Sequence, residues 1–144
     1  MKAYIALGSN LGDREKNIEE AIRLMNNNAG KVEAVSSYYY SEPQGFESIN
    51  YFVNAVVLLD TDVPVFDLLR TLQSIEHKMG RSLKSVNGIY SDRIIDLDIL
   101  LYDDIQMQTS ELTIPHPRMQ KRDFVMKPLR ELTTKTISQS KTDS

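Results

Sequence analysis

The sequence predicts a single α+β domain whose strands and helices follow one another in the order β-α-β-β-α-β. Two amphipathic helical patterns separate short runs that are rich in β-branched and aromatic residues, which are typical of strands. The chain has 144 residues, the size of one ordinary domain, and shows neither an internal repeat nor an interior linker. We therefore place one domain at residues 1–132 and predict a polar, disordered tail at residues 133–144.

The first part of the chain carries a strand, a helix and two further strands. An apolar run at residues 3–7 predicts the first strand, and residues 8–13 predict a tight turn after it. This turn lacks the Gly-Lys-Ser/Thr ending of a phosphate-binding P-loop, so we interpret it as a connection. Two later runs predict strands at 32–40 and 52–59. The helix after the turn has apolar residues at i, i+3, i+4 and i+7 spacing: Ile18, Ala21, Ile22 and Met25.

The second part carries a helix and a strand that contains acidic residues. Pro64 suits the first turn of the helix, and Gly80 suits its C-terminal end. A polar loop is predicted at residues 81–92 and a strand at 93–102, which a short hairpin strand can follow. The complete order is that of the ferredoxin-like arrangement, a mostly antiparallel sheet with helices over one face. The apolar stripe of the helix consists of Val65, Leu68, Leu69, Leu72, Ile75 and Met79.

Composition and charge exclude several classes of protein. Hydrophobic residues make up 41% of the chain and charged residues 26%, so the chain can form a packed core and is not disordered throughout. Cysteine is absent, which excludes disulfides, thiolate metal sites and cysteine nucleophiles. The net charge of −3 argues against a nucleic-acid-binding surface. The sequence shows neither a signal peptide nor a membrane-spanning run, so we expect a cytoplasmic protein.

Two aspartates stand out in the acidic strand. Asp96 and Asp98 are alternate residues of a strand and therefore share a face, roughly 6.5 Å apart at Cα. Two close carboxylates repel each other unless a cation lies between them, and oxygen ligands of this kind suit Mg²⁺. Such a pair can bracket two ions about 3.5–4 Å apart. The alternative is that both carboxylates are simply solvated on an exposed strand face.

Arginine and histidine residues near this strand are candidates for binding phosphate. A guanidinium group binds phosphate oxygens bidentately and neutralises charge in phosphoryl transfer. Arg93 is the best candidate because it lies three residues before Asp96, although any single arginine can be an ordinary surface residue. The backbone of His116 is stiffened by a proline on each side, which leaves a functional role and a structural or surface role equally open. The arginines of this group are Arg81, Arg93, Arg118 and Arg122.

An amide and an aromatic ring lie together on another strand. Asn54 interrupts an apolar run and needs hydrogen-bond partners if it is buried. Phe52, two residues earlier, shares its face, and a ring with an amide can hold a flat heterocycle. The alternative for Phe52 is an ordinary place in the core. Glu76, near the end of the second helix, is a further candidate site residue.

Several segments together resemble one family. The opening AYIALGSNLGDRE, the central YFVNAVVLLDT, and DRIIDLDILLYD followed by LTIPHPRMQKRDFVMKPL resemble the 6-hydroxymethyl-7,8-dihydropterin pyrophosphokinases of folate biosynthesis. The resemblance extends from about residue 3 to residue 132, with the motifs in order and at matching spacing. It implies the ferredoxin-like fold, and it implies an enzyme that transfers pyrophosphate from MgATP to the hydroxymethyl group of a reduced pterin, releasing AMP.

The resemblance also implies a role for each matching position. The two aspartates match ligands of two Mg²⁺ ions, and the expected catalytic residues are Arg81, Arg93, Asp96 and Asp98. The expected ATP-binding residues are Glu76, Arg81, Arg93, His116 and Arg122. The expected pterin-binding residues are Ser41, Glu42, Pro43, Gln44, Gly45, Phe52, Asn54 and Phe124. The expected partners are ATP and the pterin, with neither nucleic acid nor membrane, and we expect a monomer.

Three alternatives from other classes remain open at this stage. The first is a pterin- or nucleotide-binding module without turnover, for which the loss of the aspartates or of Arg93 would be the sign. The second is a metal-dependent phosphohydrolase, which would need the acidic pair but not the amide and the aromatic rings. The third is a nucleic-acid-binding domain of ferredoxin-like fold, which the net negative charge disfavours.

Overall fold

The computed structural model describes residues 1–41, 51–80 and 94–142, with side chains as far as residue 134. The elements follow the predicted order as far as the acidic strand, and a hairpin and a third helix come after it. The strands are β1 (Lys2–Ser9), β2 (Lys31–Val35), β3 (Tyr39–Ser41), β4 (Phe52–Asp60), β5 (Asp96–Tyr102), β6 (Met107–Gln108) and β7 (Thr113–Ile114). The helices are α1 (Arg14–Asn28), α2 (Val65–Lys78), α3 (Asp123–Thr142) and a short 3₁₀-helix at Met119–Lys121.

The main sheet has the strand order β2-β4-β1-β5, and β3 pairs with β4 beyond the end of β2. Each of its described pairings is antiparallel. With α1 and α2 packed against it, the sheet has the ferredoxin-like architecture, so the predicted fold class is confirmed. The short strands β6 and β7 form a separate hairpin, which places a strand pair in the region where one additional hairpin strand was predicted.

The larger core lies between one sheet face and helices α1 and α2. Helix α1 begins where predicted, because the Asp13 carboxylate accepts a hydrogen bond of 3.3 Å from the Lys16 backbone N–H at its first turn. Fully burying one leucine or isoleucine contributes about 1.5–3 kcal/mol. The alternate strand residues that fill this core are Ala3, Ile5 and Leu7 of β1, Val53, Ala55, Val57 and Leu59 of β4, and Leu97 and Ile99 of β5.

A third helix, which was not predicted from the sequence, covers part of the opposite sheet face. Val125, Leu129 and Leu132 of α3 are buried in a second core against Val56 and other strand residues. The prediction that helices cover only one face was therefore wrong. The three apolar residues have helical spacing, but Pro128 lies among them and normally breaks a helix. The helix continues to Thr142, beyond the predicted domain boundary at residue 132, and that boundary stays a prediction.

Strand β5 begins at Asp96 and contains a bulge that changes which residues face the larger core. Leu101 pairs with Tyr4 and Ile99 with Ile5, so Leu100 is an extra residue in β5. Leu100 is buried in the second core, whereas Tyr102 turns into the larger one. The Tyr102 hydroxyl donates a hydrogen bond to the Val63 carbonyl at 2.5 Å, which satisfies its polar atom.

The strand predicted at residues 32–40 is divided into β2 and β3. Between them Ser36 is buried, and its hydroxyl accepts a hydrogen bond from the Val56 backbone N–H at 2.9 Å. The same hydroxyl donates to the Ser37 carbonyl at 2.8 Å. A side-chain oxygen thus takes over one bond of the sheet, which allows the chain to bend between the two strands.

Replacing Ser36 with alanine is expected to lower the free energy of unfolding by about 1–2 kcal/mol, because the buried Val56 N–H loses its acceptor. Urea unfolding measures this change. Ser37→Ala is the matched control, because its side chain is exposed and the bond that its backbone N–H donates to Glu131 is retained. Equal stability of the two variants would contradict the assigned role of the Ser36 hydroxyl.

None of the helices in the described ranges is long and apolar enough to cross a membrane.

Candidate active site

Three neighbouring strands place an amide and a carboxylate in one row across the sheet. Gly8 of β1 pairs with Asn54 of β4 on one side and with Asp96 of β5 on the other. In the next row, Ala6 pairs with Val56 and with Asp98. These residues lie on the sheet face that carries α3; Val56 and Ala6 belong to the second core, and the row of Gly8 lies one step further along the strands. Strand β1 also continues through Gly8 to Ser9, so the prediction that the turn begins at residue 8 was wrong.

The two aspartates lie on one face of β5 as predicted. Both are half-buried, while Leu97 between them is buried in the larger core. Two carboxylates on one face suit Mg²⁺, which takes one or two protein carboxylates and completes its shell with water and substrate phosphates. In the described part of the chain, no group of three or more acidic or histidine side chains forms a metal cage. The donor set therefore fits a metal ion that is shared with a phosphate substrate.

Glu76 holds the backbone between the two aspartates. It lies near the end of α2, is only 6% exposed, and its carboxylate accepts a hydrogen bond of 2.8 Å from the Leu97 backbone N–H. Strand β5 is the outer strand of the described sheet, so this N–H lies on an edge. A charge-assisted bond at this point fixes the edge where the aspartates begin. This contact between a helix end and the acidic strand was not predicted from the sequence.

His116 is attached to the other end of the same strand. Its backbone N–H donates to the Leu100 carbonyl at 3.0 Å, and its Nδ1 accepts from the Arg118 backbone N–H at 3.2 Å. In the neutral ring the proton is therefore on Nε2. Burial lowers the pKa of His116 below its ordinary value of 6.5, and the charges of Arg122 and Arg118 lower it further, whereas Asp96 acts in the opposite direction. The charges of Asp96, Arg118 and Arg122 thus all act on this ring.

The direction of this pKa shift predicts a pH dependence of stability. Below about pH 6.5 the unfolded chain binds a proton at His116 before the folded chain does, so the free energy of unfolding falls as the pH falls. His116→Asn removes this contribution, so its urea midpoint is expected to fall less between about pH 7.5 and about pH 5.5. His77→Asn, which removes the other histidine of the chain, is the matched control. Equal slopes for wild type and His116→Asn would contradict the prediction.

The charged cluster consists of Asp96, His116, Arg118 and Arg122. Arg122 connects it to Phe124 at the start of α3. The guanidinium carbon of Arg122 lies 5.8 Å from the centroid of the Phe124 ring, within the range of a cation–π contact. Phe124 is half-buried and packs against the second core. A residue that was predicted to bind ATP and one that was predicted to bind the pterin are therefore in contact with each other.

The amide of Asn54 is oriented by the fold. Its Nδ2 donates to the Tyr39 carbonyl at 3.1 Å and to the Ser41 hydroxyl at 2.8 Å. A carbonyl only accepts, so the nitrogen must lie on that side, and Oδ1 is the atom that lies over Gly8. Ser41 pairs with Phe52 in the sheet, which brings the predicted aromatic ring next to the amide. The sequence indicated a ligand-binding amide but did not predict that Ser41 holds it.

A cavity of about 270 Å³ lies beside the acidic strand. It is bordered by Leu69 of α2, by residues 97–99 of β5 and by residues 109–113 of the β6–β7 hairpin. Asp98 and His116 line it, so the cavity is continuous with the charged cluster. This cavity could not be predicted from the sequence, because the hairpin residues have no distinctive pattern and reach β5 only through the tertiary fold.

The structure brings many of the predicted site residues together at one end of the sheet. Six of the predicted residues lie outside the described ranges: Glu42, Pro43, Gln44, Gly45, Arg81 and Arg93. The predicted residues that are described are Ser41, Phe52, Asn54, Glu76, Asp96, Asp98, His116, Arg118, Arg122 and Phe124. Hydrogen bonds, sheet pairing, a ring contact and electrostatic interactions connect these residues in two groups. One group surrounds Asn54 and the other surrounds the acidic strand. Gly8 lies between the two groups.

The chain is similar to known proteins over most of its length. A protein of Porphyromonas gingivalis named 2-amino-4-hydroxy-6-hydroxymethyldihydropteridine pyrophosphokinase is 44% identical over 130 residues, which cover 90% of this chain and 88% of that protein. A protein of Bacillus subtilis with the same name is 43% identical over 131 residues, covering 90% of this chain and 77% of the relative.

Solved structures show the same fold at low sequence identity. The structure of an HPPK-DHPS in complex with substrates superposes with a TM-score of 0.63 at 17% identity. A Plasmodium falciparum HPPK-DHPS superposes with a TM-score of 0.61 at 16% identity. The two superpositions cover 90% and 86% of this chain. They cover only 39% of each of the two longer chains. Residues 4–134 match the family described as 7,8-dihydro-6-hydroxymethylpterin-pyrophosphokinase (HPPK), and the chain belongs to this family.

Proposed function

We propose that this chain transfers pyrophosphate from MgATP to 6-hydroxymethyl-7,8-dihydropterin, giving AMP and the pterin pyrophosphate, a step of folate biosynthesis. The observation that carries the proposal is the row of Asn54, Gly8 and Asp96 across three strands. Two strand spacings separate the Asn54 amide from the Asp96 carboxylate by about 10 Å, which supports a heterocycle site beside a metal site. Membership of the family supports the same reaction.

The acidic end of the row is the ATP side of the site. Asp96 and Asp98 are the residues that would hold two Mg²⁺ ions, which supply positive charge to the phosphate oxygens when bound. His116 offers its Nε2–H, and Arg122 offers a permanent positive charge, next to that pair. We assign the nucleoside of ATP to the adjoining cavity, which Asp98 and His116 line. From the resemblance we add Arg81, Arg93 and the Glu76 carboxylate to this side.

The amide end is the pterin side. Asn54 presents Oδ1, an acceptor that suits the N–H groups along the edge of a reduced pterin. Phe52 lies on β4 and Phe124 at the start of α3, and both rings can stack on a flat ring. Ser41 orients the amide. From the resemblance we assign the loop residues Glu42, Pro43, Gln44 and Gly45 to the same pocket.

This arrangement performs the reaction by positioning and charge neutralisation. The hydroxymethyl oxygen of the pterin attacks the β-phosphorus of ATP, the bond from that phosphorus to the α,β-bridging oxygen breaks, and AMP leaves with that oxygen. The hydroxyl proton is released in the same step. No covalent intermediate with the enzyme is needed, because the protein holds the two substrates in line and neutralises the phosphate charge.

The direct test is a reaction with ATP, magnesium and 6-hydroxymethyl-7,8-dihydropterin, followed by separation of the nucleotides and pterins. AMP and pterin pyrophosphate should appear in equal amounts, and only when the pterin is present. Release of ADP and phosphate without pterin would instead identify a phosphohydrolase. Binding of both substrates with no AMP formed would identify a non-catalytic binding module.

Other properties follow from the same proposal. The enzyme acts as a monomer in the cytoplasm, and it binds small molecules rather than nucleic acid or membrane, in agreement with its net charge of −3. Light scattering at several protein concentrations tests the monomeric state, and a constant mass of about 16.5 kDa is the expected result.

A further inference from the structure

Gly8 is a glycine that neither the backbone nor the packing of this chain requires. It lies inside strand β1, paired on both sides. Its backbone is not in the left-handed region that favours glycine, unlike that of Gly12, Gly30 and Gly80. Glycine within a strand is destabilising relative to alanine, because it loses more conformational freedom on folding.

A methyl group at this position would meet only ordinary contacts inside the protein. A Cβ on Gly8 would lie 3.4 Å from Oδ1 of Asn54 and 3.5 Å from Cδ1 of Phe52, and its third neighbour is Cε1 of Phe52 at 3.9 Å. None of these distances forces the chain to move. The fold therefore accepts alanine here, and the missing Cβ has to be explained by something other than the protein itself.

The atoms around the missing Cβ are those of the amide and the ring on the pterin side of the site. Its three nearest neighbours all belong to Asn54 and Phe52, and none belongs to the acidic strand. A glycine within a strand often marks a point where a ligand approaches the backbone closely. The surface over Gly8 therefore lies between the hydrogen-bonding amide of Asn54 and the first aspartate of the acidic strand.

We propose that Gly8 is a specificity-determining residue, whose bare backbone forms the floor over which the bicyclic ring of the pterin passes from Asn54 toward Asp96. This inference rests on the proposed function. The ring must be held by Oδ1 of Asn54 at one edge and must bring its hydroxymethyl group to the phosphates held near the acidic pair. Any side chain at residue 8 stands in that path and lifts the ring from the sheet.

The test compares Gly8→Ala and Gly8→Val with the wild-type enzyme. The equilibrium Kd for 6-hydroxymethyl-7,8-dihydropterin is measured with magnesium and a non-hydrolysable ATP analogue present, and the Kd of the analogue is measured separately. We expect the pterin Kd to rise at least about tenfold for alanine and more for valine, as expected for overpacking of a close-fitting site. The analogue Kd should stay within about twofold, and the Gly8→Ala melting temperature should equal or exceed that of wild type.

Ala34→Val is the matched control, because it adds volume on the same sheet face but on the edge strand β2, where residue 34 pairs with Leu58. Its pterin Kd should be that of wild type. A Gly8→Ala enzyme that binds pterin as wild type does would overturn the inference while leaving the pyrophosphoryl transfer intact. A large fall in melting temperature with loss of both ligands would also overturn it, by showing that the fold requires the glycine. A wild-type protein that forms no AMP would instead overturn the proposed function itself.

Discussion

Replacing Asp98 with asparagine is expected to lower the rate of AMP formation by about 10³-fold or more. The change removes one negative charge from the pair on one face of β5, while the shape of the side chain is kept. Phosphoryl transfer depends on neutralising charge on the phosphates, and the loss of one well-placed group at such a site typically costs about 10²–10³ in rate. In the site that we propose, the variant also loses a ligand for the second metal ion.

The folded protein should tolerate this change, since two carboxylates on one strand face repel each other when no cation is bound. We expect the metal-free variant to unfold within about 1 kcal/mol of wild type in urea, and its stabilisation by magnesium with ATP to be largely lost. Asp104→Asn is the matched control: it removes the same charge from an exposed position just after the same strand. If Asp98→Asn kept a rate near that of wild type, the acidic pair would be a solvated surface pair and not a metal site.

The placement of the acidic pair could be predicted because a strand has a period of two. Asp96 and Asp98 interrupt an apolar run on alternate positions, and this pattern alone puts them on one face. A period of two does not predict the rest of β5, because one extra residue at Leu100 reverses which side chains face the larger core. A bulge of this kind leaves no mark in the hydrophobic pattern, since the residues on both sides of it are apolar.

Two other features depend on contacts between distant parts of the chain. Ser36 replaces a bond of the sheet, and nothing in the segment around it distinguishes it from its exposed neighbour Ser37. Helix α3 has a suitable apolar stripe, but Pro128 obscures it, and only the uncovered face of the sheet explains why the helix packs there. Local pattern predicts which elements exist, whereas packing decides which faces they cover.

Glu76 gives the second large effect that we expect, because it connects α2 to the strand that carries both aspartates. In Glu76→Leu the Leu97 N–H loses its acceptor in a buried position, so the free energy of unfolding should fall by about 1–3 kcal/mol. The edge of β5 is then no longer fixed between Asp96 and Asp98. A displacement of about 1 Å at a reacting site can lower the rate by about 10²-fold, and we expect a loss of this size in kcat.

Glu76→Gln separates this positioning role from direct binding of ATP. Its side-chain carbonyl can still accept the bond from Leu97, so stability should fall by less than about 1 kcal/mol and kcat by less than about tenfold. The magnesium concentration needed for half-maximal rate should rise in Glu76→Leu and change little in Glu76→Gln, because only the leucine variant releases the strand that carries the proposed metal ligands. If both variants instead raised the KM for ATP equally and left the magnesium dependence unchanged, the carboxylate would act on the nucleotide and not through the strand.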